Sequence, residues 1–224
     1  PSNSSAASDV YKRQILLHIF DSWYKYSYCL SNNNRIGIEF CNMERSFILK
    51  AGLRGEIRDR VSRLSERERA EAAERVAELL ERDIRFAGAR VAACFMPLRD
   101  EVPIGRFVDG WRRDKLIVLP VIEGDRMRFF EYDPARVRTG RFGIVEPYGT
   151  AEVSPQGIDA MLVPGRAFTL AGLRLGRGGG YYDRYLSQAG AEGIYRIGVA
   201  FGCQVVDELP VTADDVVMDR VIAG

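Results

Sequence analysis

Apolar residues recur at helical spacing in the first regular part of the chain. The recurring positions are Leu49, Leu53, Ile57, Val61 and Leu64. Steps of four, four, four and three residues put these side chains on one face of an amphipathic helix, and Ser46 is a suitable N-cap for its start. The mixed charges between them predict a solvated opposite face.

A second helix is predicted to begin at a capping box formed by Ser65 and Glu68. A serine followed three residues later by a glutamate can satisfy two otherwise free N–H groups at a helix start. The apolar positions that follow, Ala73, Val76, Ala77 and Leu80, again share one face. The two segments therefore predict consecutive helices.

Short apolar runs alternate with helical segments through the rest of the chain. Buried strands are predicted at residues 90–96, 116–119, 158–163, 195–201 and 216–222, and a hairpin arm at 127–132. A short helix is predicted between Pro103 and Trp111. This alternation predicts a three-layer α/β/α domain around a mostly parallel sheet, with no second domain and no internal repeat.

Residues 1–42 sustain neither a helical nor a strand period. They contain the polar runs SSAAS and SNNN and seven aromatic residues. We interpret them as a non-native or disordered extension, which places the α/β domain at residues 43–224. An aromatic arm that binds a partner is the alternative interpretation.

Charge and composition exclude several classes of protein. The net charge is +1, and residues 43–224 hold 28 residues of each sign, so we expect no nucleic-acid partner. The apolar run at 15–20 is too short to cross a membrane. Four scattered cysteines indicate a reduced cytoplasmic protein, and His18, the only histidine, leaves no Ser-His or Cys-His pair for nucleophilic catalysis. We therefore expect a cytoplasmic protein with no nucleic-acid or membrane partner, and we expect it to be a monomer.

The stretch from Leu162 to Leu186 carries the chemistry. It contains five glycines within nine residues, between a predicted strand and a helix starting near Tyr181. Glycines so dense allow successive N–H groups to close around an anion at a helix N-terminus, and phosphate is the obvious candidate. A flexible surface turn explains the glycine count equally well.

The residues beside the glycines favour a binding site over a mere turn. Arg174 and Arg177 add two permanent cations, Asp183 adds a carboxylate in the first helical turn, and Tyr181 and Tyr182 add flat surfaces for a ring system. The loop is not a P-loop, because no Gly-Lys-Ser/Thr ends it, and its spacing is not G-x-G-x-x-G.

The run PGRAF followed by G-L-R-L-G-R-G-G-G-Y-Y-D-R resembles the central motif of the 5-formyltetrahydrofolate cyclo-ligase family, also called methenyltetrahydrofolate synthetase. Lys50-Ala-Gly-Leu53-Arg54 resembles the family's K-x-x-L-R, and residues 142–147 resemble its F-G-I-x-E-P. The resemblance covers roughly residues 46–222. It implies a fold similar to the class shared by sugar-phosphate isomerases and CoA transferases.

The resemblance also implies roles for particular residues. ATP would be bound by Lys50, Arg54, Arg174, Leu175, Gly176, Arg177, Gly178, Gly179, Gly180, Tyr181 and Tyr182. The folate would be bound by Met96, Glu101, Phe142, Glu146, Arg177, Gly178, Gly179, Gly180 and Tyr181. Asp183 and Asp215 would hold Mg2+, and Arg174, Arg177 and Tyr182 would be catalytic.

Each of these roles has a plainer alternative on sequence alone. Lys50 and Arg54 share a helical face that is typical of solvated surface. Glu101 could match a helix dipole, and Asp215 could form a turn. Residues 142–147 could be an ordinary Gly/Pro loop. Asp183 at the start of a helix could be a helix-end charge, whose loss should be tolerated structurally.

The implied activity is the cyclisation of 5-formyltetrahydrofolate to 5,10-methenyltetrahydrofolate, with ATP as co-substrate, Mg2+ as cofactor, and ADP and phosphate released. Two positions depart from the family pattern: Thr169 stands where an aspartate usually follows Ala-Phe, and Asp214 stands where many members have histidine. A cyclo-ligase-like protein that binds nucleotide or folate without turnover is one alternative. A sugar-phosphate isomerase or CoA-transferase relative is another.

Overall fold

The first helix, α1, spans Arg35–Ser62 without interruption. The computed structural model describes residues 35–140, 143–210, 212 and 214–224, with side chains from Ser46 onward. Ile57 and Val61 are buried, as the apolar stripe predicts, whereas Leu49 is 42% exposed. Ser46 lies inside the helix, so its predicted N-cap role is wrong: a cap needs an extended backbone, and the helix continues through Ser46.

The described residues form two compact units. One contains the described residues up to Glu56 together with Pro210 and Thr212, and the other contains 57–209 and 214–224. The predicted boundary at residue 42 falls within α1, and most of the predicted extension lies outside the described residues. The extension therefore stays a prediction.

The second helix, α2, spans Glu66–Glu81 and begins as predicted. The Ser65 N–H donates to Glu68 Oε2 at 2.8 Å, and the Glu68 N–H donates to Ser65 Oγ at 3.2 Å. Both halves of the capping box are therefore formed. The buried face consists of Ala72, Ala73, Val76, Ala77 and Leu80, and the helix packs against the last strand.

The larger unit is built on a seven-stranded sheet. The strands of the structure are β1 Val91–Ala93, β2 Leu116–Glu123, β3 Arg126–Glu131, β4 Val137–Thr139, β5 Val145–Pro147, β6 Glu152–Val153, β7 Ala160–Pro164, β8 Ala167–Phe168, β9 Arg174–Leu175, β10 Tyr195–Ala200 and β11 Arg220–Ala223. The short α-helices within the described part of the chain are α3 Ile84–Ala87, α4 Gly105–Trp111 and α5 Tyr181–Leu186. The order in the sheet is β11-β10-β7-β1-β2-β3-β6.

Five neighbouring strands, β11 to β2 in that order, are parallel, whereas β3 and β6 extend the sheet antiparallel. The β2–β3 hairpin turns at Gly124, whose φ is 64°. Glycine adopts such a positive φ at little cost because it has no Cβ. The mostly parallel sheet with packed helices confirms the predicted α/β class. No helix among the described residues is long and apolar enough to span a membrane.

Two strands are shorter than predicted. Strand β1 ends at Ala93 although residues 94–95 are buried, and β11 starts only at Arg220. Apolar runs report burial, and buried residues can continue into a loop after the ladder has ended.

The ring of Phe168 fixes the chain around the site. Phe168 is fully buried, and a Cβ added to Gly165 or Gly198 would lie 2.6 or 2.5 Å from its ring. Only glycine therefore allows the turn after β7 and the middle of β10 to approach this ring. This contact positions the loop that leads to Arg166.

Candidate active site

The carboxyl ends of β1 and β7 share one edge of the sheet, because the two strands are parallel and adjacent. The loop after β1 carries Asp100 and Glu101, and the turn after β7 carries Arg166. Open α/β sheets bind ligands at this edge. The short β8–β9 hairpin then leads into the glycine-rich loop and α5.

Arg177 of the glycine-rich loop is held by the two carboxylates after β1. Its Nε donates to Glu101 Oε1 at 3.0 Å, and its guanidinium is also paired with Asp100. Glu101 Oε2 accepts the Leu98 N–H at 2.9 Å, which fixes the carboxylate in the loop. The structure thus brings together Arg177 and Glu101, which the resemblance linked to ATP and to folate.

Asp100 and Arg166 belong to the same cluster, and sequence reasoning missed both. Asp100 accepts hydrogen bonds from Arg166 and from Arg177, so that one carboxylate bridges two loops. The available signals were the position of Asp100 beside Glu101 and of Arg166 within PGRAF. Neither signal specifies the partner, because Asp100 and Arg166 are 66 positions apart in the sequence.

The pKa values of the two adjacent carboxyl groups, Asp100 and Glu101, are shifted in opposite directions. Burial raises the pKa of Glu101, which is 7% exposed, and Arg177 and the Leu98 N–H only partly oppose this. Burial acts on Asp100 in the same direction, but hydrogen bonds and charges from Arg177 and Arg166 bring its pKa below the usual range. Asp100 is therefore the more firmly ionised of the two.

Arg174 and Asp183 form a second ion pair beneath the glycine-rich loop. One guanidinium nitrogen, Nη2, donates to both Asp183 oxygens at 2.8 and 2.7 Å, and Nη1 donates to the Pro164 carbonyl at 3.3 Å. The Arg174 side chain is 4% exposed and that of Asp183 is 22% exposed. Asp183 is therefore part of a buried ion pair, which the plainer interpretation as a helix-end charge does not include.

The glycine-rich loop has the backbone that its composition predicts. Gly178 and Gly180 have φ values of 104° and 66°, and Gly180 is the left-handed N-cap of α5, which starts at Tyr181 as predicted. A Cβ at Gly176 would lie 2.9 Å from Arg174 Nη1, so this glycine lets the cation lie against the backbone. Gly178 and Gly179 are exposed.

Three further predicted residues flank this loop. Leu175 is buried in β9, and its carbonyl accepts the Arg166 N–H at 2.6 Å. Tyr182 lies with its ring 5.7 Å from the Arg174 guanidinium carbon, and burial raises the pKa of its phenol. The Tyr181 hydroxyl donates to the Gly124 carbonyl at 3.4 Å, which links the loop to the β2–β3 turn.

The predicted folate residues are distributed unevenly. Met96 is half-buried in the loop after β1, on the approach to Glu101. Glu146 is buried in β5, where its carboxylate lies against Gly140; a Cβ there would be 2.0 Å from the carboxyl carbon. No hydrogen bond among the described residues joins Glu146 to the Arg177 cluster. Phe142 lies outside the described residues.

Lys50 and Arg54 belong to the smaller unit. Both are half-buried residues of α1, and Lys50 Nζ donates to Thr212 Oγ1 at 3.4 Å. Their assignment to ATP stays a prediction.

The two departures from the family pattern differ in their surroundings. Thr169 is 3% exposed, and its Oγ1 accepts the Leu173 N–H at 3.2 Å within the β8–β9 turn. The Thr169 hydroxyl therefore closes a turn, which gives it a structural role in this chain. Asp214 is exposed.

Asp183 and Asp215, the two predicted magnesium ligands, could hold the ion only together with phosphate oxygens and waters. The described residues contain no group of three or more His, Cys, Asp or Glu side chains that could hold a metal. The Val216 N–H donates to Asp183 Oδ1 at 3.4 Å, which brings the segment after Asp215 to Asp183. Mg2+ is commonly bound by one or two carboxylates with phosphate oxygens and waters, and this pair could supply that share.

A mostly parallel α/β domain with a glycine-rich loop entering a helix, and arginine–carboxylate clusters at its carboxyl edge, is typical of enzymes that bind anionic small molecules. The sequence pattern of the 5-formyltetrahydrofolate cyclo-ligase family matches residues 48–224. The chain therefore belongs to this family of ligases.

Individual relatives agree with this assignment. The 5-formyltetrahydrofolate cyclo-ligase of Haemophilus influenzae is 33% identical over 120 residues, covering 51% of this chain and 64% of that protein. The enzyme of the same name from Escherichia coli K12 is 31% identical over 141 residues, covering 60% and 78%. The structure of Aquifex aeolicus 5,10-methenyltetrahydrofolate synthetase is similar with a TM-score of 0.72 at 34% identity, covering 78% and 89%.

Proposed function

We propose that this chain cyclises 5-formyltetrahydrofolate to 5,10-methenyltetrahydrofolate, using ATP and Mg2+ and releasing ADP and phosphate. The reaction of the named relatives supports the substrate and the product. The observation that carries the proposal is the bond between Arg177 and Glu101, because it joins the candidate phosphate loop to the candidate folate residue at 3.0 Å.

The proposed chemistry has two stages. The formyl oxygen attacks the γ-phosphate of ATP, which releases ADP and leaves the formyl carbon activated. N10 of the folate then attacks that carbon, the ring closes and phosphate leaves. Such a reaction depends on alignment and on stabilisation of negative charge, so a chain whose only histidine is His18 can perform it.

The residues of the larger unit supply these requirements. The exposed glycines Gly178 and Gly179 and the guanidinium of Arg177 are suited to phosphate oxygens. The carboxyl group of Glu101 is suited to paired N–H donors of a pterin ring. Burial raises the pKa of the Tyr182 hydroxyl further above neutral, so Tyr182 is a hydrogen-bond donor and not a base. Lys50 and Arg54 are proposed for ATP on the resemblance alone.

Asp183 and Asp215 are the residues proposed to hold Mg2+ together with nucleotide phosphates. The metal would neutralise phosphate charge when bound. Arg174 is already paired with the Asp183 carboxylate, so in the proposed complex Asp183 would be shared between Arg174 and the metal. The proposal further comprises a cytoplasmic monomer with small-molecule partners only.

Incubation of the purified chain with 5-formyltetrahydrofolate, ATP and Mg2+ tests the proposal. We expect methenyl absorbance to rise and ADP to form in equal amounts, and omission of any component should abolish both. Calorimetric titration with ADP and with a non-reactive folate is run in parallel. Binding of both ligands without turnover would refute the proposed activity in favour of a binding protein.

A further inference from the structure

We infer that Asp100 and Arg166 are positioning residues that fix the orientation of Arg177 toward an anionic substrate group. The inference rests on the proposed function, since it concerns the same site. It adds two residues to which the family resemblance gave no role, one on each side of the sheet edge formed by β1 and β7.

The two carboxylates hold Arg177 from two sides: Glu101 lies on the Nε–Nη2 edge of the guanidinium, and Asp100 lies against Nη2 and Nη1. Glu101 Oε1 lies 3.0 Å from both Nε and Nη2, and Asp100 Oδ1 pairs with Nη2. Nη1 makes only one contact to these residues, at 3.5 Å from Asp100 Oδ2. Arginine carries five N–H donors in a rigid fork, and Nη1, whose contact with Asp100 is long, retains donor capacity for a substrate anion.

Arg166 anchors Asp100 in that arrangement. The Arg166 side chain is 15% exposed and pairs with Asp100 Oδ2, the oxygen that faces away from the shorter Arg177 contact. Its backbone is fixed as well: its N–H donates to the Leu175 carbonyl at 2.6 Å, and its carbonyl accepts from Gln204 Nε2 at 3.0 Å. The anchor is therefore part of the folded core.

Charge balance explains why two arginines and two carboxylates are needed. Asp100 and Glu101 together offset Arg166 and Arg177. If Arg166 were absent, the cluster would carry a net negative charge beside an incoming phosphate. Asp100 would also lose the contact that holds it in place, so the pair of Asp100 and Arg177 could rotate out of its present orientation. The low pKa of Asp100 keeps it ionised at neutral pH. Arg177 is thus held at 34% exposure with its donor edge oriented in advance.

A double-mutant cycle tests the assignment. Asp100→Asn keeps the volume but removes the charge, and we expect kcat/KM to fall by about tenfold. In an Arg177→Lys background the same change should cost less than about twofold, because the group being positioned is already lost. Arg166→Lys should be milder than Arg166→Met. Asp109→Asn, which removes an exposed carboxylate bonded to the Tyr132 hydroxyl at 2.9 Å, is the matched control and should leave turnover unchanged.

The Nε–H resonance of Arg177, assigned by its loss in Arg177→Lys, reports position without turnover. We expect it to move in Asp100→Asn and Arg166→Met but not in Asp109→Asn. Unchanged resonance and turnover in Asp100→Asn, or costs that simply add in the cycle, would overturn the inference. If the wild-type chain shows no turnover while the resonance still moves, the proposed activity fails and the positioning of Arg177 is supported.

Discussion

Replacement of Asp183 by asparagine should cost far more stability than a helix-end charge would. The carboxylate accepts two hydrogen bonds, at 2.8 and 2.7 Å, from an Arg174 side chain that is only 4% exposed. Removal of one partner of a buried ion pair costs about 3–5 kcal/mol. The asparagine oxygen can keep one bond, and Asp183 is 22% exposed, so we expect a cost somewhat below that range, about 2–3 kcal/mol.

Urea unfolding of the ligand-free protein measures this cost. Glu152→Gln is the matched control, because it breaks an arginine–carboxylate pair whose side chains are 41% and 42% exposed, and it should cost much less. The double variant Arg174→Met with Asp183→Leu should also lose less stability than Asp183→Asn alone, since it leaves no unpaired buried charge. A wild-type urea midpoint for Asp183→Asn would refute the reasoning.

The same variant tests the metal proposal separately. At temperatures where Asp183→Asn remains folded, it should bind folate but lose most Mg2+-dependent turnover, and Asp215→Asn should show a milder loss. Near wild-type turnover across a magnesium titration would limit Asp183 to its ion pair with Arg174. Stability and turnover are measured independently, so either half of the prediction can fail alone.

Features with a local cause could be predicted from the sequence. The capping box of Ser65 and Glu68 involves residues three apart, and the start of α5 at Tyr181 follows from the glycines before it. The parallel sheet followed from the alternation of apolar runs and helical segments. Ser46 is the exception: a residue suited to an N-cap does not begin a helix where the residues before it are already helical.

The partners of the charged residues could not be predicted in this way. Arg177 reaches Glu101 across 76 positions of sequence, and no periodicity relates two loops that only the sheet brings together. The sequence relates Asp183 only to its own helix, because the residues of that helix are its neighbours in sequence. The neighbour that dominates its energetics is Arg174 in β9, on the other side of the glycine-rich loop.

Three further predictions follow. Lys50→Ala should raise the ATP KM at least about tenfold, measured by initial rates at saturating folate. Glu101→Gln should weaken calorimetric binding of a non-reactive folate and spare ADP binding; equal weakening of both would indicate a role in the fold.

The third prediction concerns Asp83, which accepts hydrogen bonds from the Phe86 N–H at 2.9 Å, the Tyr195 hydroxyl at 3.1 Å and the Arg220 guanidinium at 2.5 Å. Burial opposes ionisation of Asp83, but these partners lower its pKa overall, so its contribution is present above the unfolded pKa and is lost as pH falls through the folded one. At pH 7, Asp83→Asn should therefore unfold at a lower urea concentration than wild type. Its free energy of unfolding should be lower by about 1.5–3 kcal/mol. The gap should narrow as pH falls below about 4, where the carboxyl of the unfolded chain takes up its proton, and should close once the pH is below the lowered pKa of the folded state. A gap that stays constant from pH 7 to the acid limit of folding would mean that the charge on Asp83 contributes nothing and that only its shape matters.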